Sequence, residues 1–253
     1  MEQFGRRTRE FYNFSSDLDQ AFLLAQALSR AGLTALGEVG NHVNCLVQNV
    51  AGVTAEQLAA MTNEEKMQIS ARASADENEQ IEQLLRQAEE YQRLGNETAP
   101  TILFIYVITK FEAYLEDITS SISYTRPELL SLPSGANEDA IQEEVAQLLA
   151  NRRIDVIARD IFEARLGVPF SAVCMAANTS PQELDRSKAI RNIHVHNQGF
   201  VNRRNRDRIG NVEVGSYYPI TTDYLIEIKD KVYLSVLGLD IASTDLYPNI
   251  LAT

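Results

Sequence analysis

The chain has 253 residues, 45% of them hydrophobic, with a formal net charge of −12. That length and apolar content suit one large domain, or a core domain with an extension, and suffice for a buried core. The acidic balance excludes a general nucleic-acid coat, so any contact with RNA or DNA must come from a local basic patch.

The first residues, Met1 to Phe14, are charged and lack an apolar signal segment. The strongest apolar run, Ile102 to Ile108, falls far short of the ~20 residues that cross a bilayer. No membrane association and a cytoplasmic location are therefore expected. The two cysteines, Cys45 and Cys174, are far apart, lack metal-ligand spacing and read as buried reduced thiols.

Helical signals run along the whole sequence. Capping-box patterns begin at Thr54, Thr62, Ser74 and Ser180, the last with Pro181 at the first helical position. The spacing predicts helices over 16–35, 43–49, 54–61, 64–71 and 75–94, and Gly95-Asn96 reads as a break. The segment 74–94 is rich in Glu and Gln and reads as a solvated helix docked by a narrow apolar stripe. A long helix follows over 98–123. After the loop Leu132-Pro133-Ser134-Gly135, helices are predicted over 138–150 and 153–166.

Pro181 to Asn197 is the next predicted helix, with Gly199 as its stop signal. Only Val212 to Ile220 allows extended structure. The last long helix, 223–239, places Leu225, Ile228, Val232, Val236 and Leu239 on one buried face. The fold class is all-α: a helical bundle over 96–253 with an N-terminal helical extension over 1–95.

Chemistry concentrates on 181–197. Asp185, Asn192 and His196 fall in one angular sector of a helix, with Lys188 between them, Arg191 at the border and Asn197 just beyond. Ile190 and Ile193 mark the face that packs on the core. His194 points about 200° away from His196, so the two histidines cannot share a metal ion. With His42 the only other histidine, no metal site and no cofactor are expected. Nucleophile-elbow, Walker and dinucleotide-binding glycine patterns are missing.

From Arg186 to Arg208 there are seven basic residues and one acid, Asp207, a local charge of +6 in an acidic chain. Arg203, Arg204, Arg206 and Arg208 close this run. It reads either as a charged surface loop balanced by the acidic helices or as a phosphate-binding rim. Likewise Arg191 and His196 read, on their own, as a surface arginine and a histidine at a helix C-terminus.

Arg191-Asn192-x-x-x-His196-Asn197-x-Gly199 resembles the R-x4-H signature of the HEPN superfamily (higher eukaryotes and prokaryotes nucleotide-binding domains). Phe111-Glu112-Ala113-Tyr114-Leu115 is similar to the "FE-x-YL" helix found upstream in that family, and the order of elements over about 97–245 agrees with it. The resemblance implies an all-α homodimer whose motif helices meet in a composite cleft, and a metal-independent endoribonuclease.

It further implies that His196 moves the proton of the ribose 2′-hydroxyl and of the leaving oxygen. Arg191 would hold the scissile phosphate, and Asn192 would orient the histidine or the phosphate. Imidazole, with an ordinary pKa near 6.5, serves as acid and base around neutrality. The products would be 2′,3′-cyclic phosphate and 5′-hydroxyl ends. Glu112, Asp185 and Asn197 are candidate supporting residues. Lys188 and the four arginines 203, 204, 206 and 208 are candidate RNA contacts.

Such a protein would serve as a toxin or antiviral-defence effector, with an antitoxin or defence-system protein as a candidate partner. Gln198 stands where some family toxins carry a tyrosine modified by a partner, which removes the basis for that regulation here. Other family members are non-catalytic interaction or RNA-binding modules, and that alternative stays open beside the nuclease. So does DNA binding through Arg203 to Arg208.

Overall fold

The computed structural model describes residues 7–51, 57, 60–62, 75–132, 135–210 and 212–250. The described residues are helical with no strand, an all-α fold; one isolated antiparallel bridge, Phe200 to Tyr217, is the whole of the extended structure expected near 212–220. The helices expected over 54–61 and 64–71 fall almost entirely outside the described residues.

Helix α1 (Arg9–Ala51) runs through both segments that the sequence divides at 16–35 and 43–49. Helix α2 (Ala75–Arg93) follows, then a π-helical turn (Leu94–Thr98) at the Gly95-Asn96 site, and α3 (Ala99–Thr125). The glycine thus widens the helix by one turn of i→i+5 bonding and does not break it.

The C-terminal half contains α4 (Glu138–Leu149) and α5 (Ile154–Ile157), the latter continuing into a second π turn (Ala158–Glu163). It goes on with α6 (Phe170–Ala176), α7 (Pro181–Asn197), α8 (Arg203–Ile209) and α9 (Thr222–Leu246). Helix α7 has the bounds that the sequence dictates. Ser180 Oγ accepts a hydrogen bond from Glu183 N at 3.1 Å, which caps its start. The Glu183 carboxylate does not reach back to complete a capping box; it accepts from Thr179 Oγ1 and Lys231 Nζ. Gln198, in the left-handed region, and Gly199 (φ 85°) end the helix, both amides returning to Ile193 O. A Cβ on Gly199 would collide with the Tyr217 ring, so glycine is required there for space as well as for backbone.

Two compact units divide the chain: residues 1–22 with 101–253, and residues 23–100. This differs from an extension ending at residue 95. The reason is hydrophobic: Phe11, Phe14 and Leu18 are buried in the core of the first unit. Phe14 packs on Tyr114 with ring centroids 5.9 Å apart, and Asp17 accepts from Lys110 Nζ at 2.5 Å. Thr8 is bonded to the buried Asp240. In the second unit, Leu84 and Ala88 of α2 are half-buried and Glu89 and Glu90 are exposed.

The core of the first unit gathers Phe104, Phe111, Tyr114, Leu115 and Ile118 of α3 with Leu184, Ile190 and Ile193 of α7. Leu225, Ile228, Val232, Val236 and Leu239 of α9 join them, as their spacing dictates. Helices α5 and α8 both pack on α7, which positions the site. Cys174 is buried, and burial pushes its thiol up to about 12, an inert core thiol. Cys45 is exposed, contrary to the buried reading from sequence.

Candidate functional site

A polar cavity of about 480 Å³ opens where α7 meets α8, the Glu112 face of α3 and the turn before α5. Arg191, Asn192, His196 and Asn197 line it from α7, joined by Lys188. Of the angular sector expected of helix 181–197, Asn192 and His196 lie on the wall of this cavity and Asp185 does not. His196 is exposed, whereas His194, on the opposite side, is half-buried with its ring edge-on to Tyr217 (centroids 5.8 Å apart). Burial lowers the His194 imidazole below its ordinary value, opposed in part by a hydrogen bond with the Tyr218 backbone.

Glu112 enters from α3 and pairs with both Arg191 and Lys188, the latter at 2.7 Å. Their side chains are only 18% and 11% exposed. Burial lowers the pKa of each. Guanidinium nevertheless stays charged at all ordinary pH. The Arg191 Nε is shielded and has no hydrogen-bond partner within the protein. Lys188 Nζ also donates to Arg152 O at 2.8 Å, fixing the turn between α4 and α5.

Asp185 lies behind this cavity, its side chain 3% exposed. It accepts from Ile154 N at 2.9 Å, so it satisfies an orphan donor at the start of α5. It also accepts from Arg208 Nε at 3.1 Å and a terminal Arg208 nitrogen at 2.8 Å. Asp185 thus ties α5 and α8 to α7, a structural office, and is not among the residues lining the cavity.

Residues 203–208, one of whose readings was a charged loop, form helix α8. Asn202 caps it, its side chain accepting from Asn205 N at 2.9 Å. The helix splits the arginine cluster. Arg204 and Arg208, one turn apart, line the cavity; Arg203 and Arg206 are exposed and do not. The cavity wall carries five cations (Arg152, Lys188, Arg191, Arg204 and Arg208) against one carboxylate, Glu112.

Asn151, Arg152, Asn202 and Asn205 also line the cavity, and sequence reasoning did not select them. The Asn-x-x-Asn cap pattern and the Arg152-Arg153 pair between two predicted helices were the available signals. Among the described residues no group of His, Cys, Asp and Glu could hold a metal ion. No helix is long and apolar enough to cross a membrane among those residues. No family model, curated protein or solved structure matches the chain.

Proposed function

We propose that this protein is a metal-independent endoribonuclease of HEPN type, acting on RNA at the cavity around Arg191 and His196. The observation that carries this reading is the convergence of Arg191, Asn192 and His196 on one cationic cavity. A phosphodiester entering it meets a surplus of positive charge and an Arg191 Nε without a protein partner. Glu112 is the resident counter-ion that the phosphate displaces from Arg191.

Arg191 and Lys188 then hold the phosphate, and His196 takes the 2′-hydroxyl proton. The 2′-oxygen attacks phosphorus, the bond to the 5′-oxygen breaks, and a proton returned to that oxygen leaves a 2′,3′-cyclic phosphate and a 5′-hydroxyl. Asn192 orients the imidazole or the phosphate. A homodimer belongs to the same reading; exposed Val195, Phe200 and Tyr217 at the C-terminal end of α7 give a second copy an apolar contact, with Phe200 and Tyr217 on the His194 side of the helix and not on the cavity wall. A role as a toxin or defence effector, and an antitoxin or defence-system partner, belong to the same reading.

Labelled single-stranded RNA incubated with protein and EDTA tests it. Wild type should give cyclic-phosphate ends, and His196→Ala or Arg191→Ala should lower the rate by about 10²–10⁴-fold. Cleavage by His196→Ala at the wild-type rate, or none by wild type at any dose, refutes the enzyme. One observation favours a second reading, a non-catalytic HEPN interaction or RNA-binding module: Glu112 already neutralises Arg191. That reading expects binding that survives both substitutions, with no RNA turnover.

A further inference from the structure

A second, smaller cavity of about 250 Å³ abuts the cationic one. Glu112, Asn151 and Lys188 line both. The rest of its wall is aliphatic except for Glu116: Leu149 of α4 with Ala146 and Ala150 at the rim, over a floor of Leu115, Ile154 and Ile157 that belongs to the buried core. An apolar wall beside a cationic chamber matches the division within a nucleotide, whose base is flat and poorly hydrated and whose phosphate is charged. The two volumes taken together fall within the roughly 300–1,000 Å³ of small-molecule sites.

We propose that the aliphatic cavity is a nucleobase subsite, seating the base next to the phosphate held by Arg191 and Lys188. The proposal rests on the nuclease reading above and deepens it by naming a specificity-determining site. Leu149, Ala146 and Ala150 contact the ring face. Asn151 stands at the junction with a left-handed backbone (φ 57°), a conformation asparagine tolerates better than most residues. Its side-chain amide offers a donor and an acceptor, the pair needed to read one base edge. Glu112, once displaced from Arg191 by phosphate, adds an acceptor for a base amino group from the same wall.

Binding of ribose 5-phosphate and of the four nucleoside 3′-monophosphates to the full chain, measured by calorimetry, tests the subsite without turnover. The monophosphates should bind roughly tenfold or more tightly than ribose 5-phosphate, the scale expected for burying one ring. Ala146→Trp fills the rim from an exposed helical position. It should erase that advantage while leaving ribose 5-phosphate affinity and the melting curve unchanged. Asn151→Gly preserves the left-handed backbone, removes the amide and should narrow the spread among the four bases.

If ribose 5-phosphate binds and RNA is cut, yet the monophosphates bind no tighter, the subsite is refuted and the nuclease reading stands. If no phosphate compound binds and RNA is not cut, the nuclease reading fails and takes the subsite with it.

Discussion

Asp185 reads from the sequence as a supporting residue of the site, and its surroundings make it a joint of the fold. Asp185→Ala removes the acceptor for Ile154 N, which costs about 1 kcal/mol as a lost helix cap. It also removes both contacts from Arg208, whose side chain is 23% exposed, stranding that cation in a half-buried position. A charge-assisted contact is worth about 1.5–3 kcal/mol, and an uncompensated buried partner raises the total to about 3–5 kcal/mol. The pair with Arg153, 3.4 Å away and half exposed, adds little.

At roughly 2–4 °C per kcal/mol for a unit of this size, the variant should melt about 10 °C below wild type. Asp185→Asn keeps an oxygen for Ile154 N–H and loses only the charge, so it should cost about 1–2 kcal/mol and retain RNA cleavage. Urea titration and thermal melting, followed by circular dichroism, read both. An Asp185→Ala protein that melts with wild type would refute the structural role. So would an Asp185→Asn protein of native stability that no longer cuts RNA.

Ile193→Ala opens a hole beneath α7 at a fully buried position and should cost about 2–4 kcal/mol in urea titration, whereas His196→Ala, at an exposed position, should melt within about 0.5 kcal/mol of wild type. Arg204→Ala should weaken RNA binding by about tenfold, while Arg203→Ala with Arg206→Ala should leave it within about threefold at physiological salt, because Arg204 lines the cavity and Arg203 and Arg206 do not; fluorescence anisotropy at several salt concentrations distinguishes them. His194 takes up its proton at a lower pH when folded than when unfolded, so the unfolded chain binds more protons as pH falls below about 6.5 and stability declines from there through the folded value. The difference in unfolding free energy between wild type and His194→Gln, measured from pH 7.5 to 5, should shift in the variant's favour on acidification.

Much of this was legible from local chemistry. Ser180 and Pro181 fix where α7 begins, Gly199 fixes where it ends, and the seven- and four-residue steps from Asp185 to Asn192 to His196 fix one face. The opposite placement of His194 follows from the same arithmetic. What a single helix cannot disclose is depth along that face. Asp185 sits beneath the cavity and His196 at its mouth because α5 and α8 cover one end of α7 and leave the other open.

The division of the arginines needed the short helix α8, which Asn202 nucleates within a run whose charge suggested only exposure. The double pairing of Glu112 is a contact across 76 and 79 residues of sequence and has no local signal. The continuity of α1 was hidden by glycines at 32, 37 and 40, which lower helix propensity without ending a helix.

That long first helix bears on how the protein can be dissected. Its opening turns supply Phe11, Phe14 and Leu18 to a unit whose remaining residues begin about eighty positions later. Cutting the gene ahead of the R-x4-H half, the obvious way to isolate it, would strip three anchors from its interior and leave Tyr114 and Asp240 facing solvent. A fragment that retains 7–22, rejoined to 101 onward by a linker, is the minimal piece that preserves the interior.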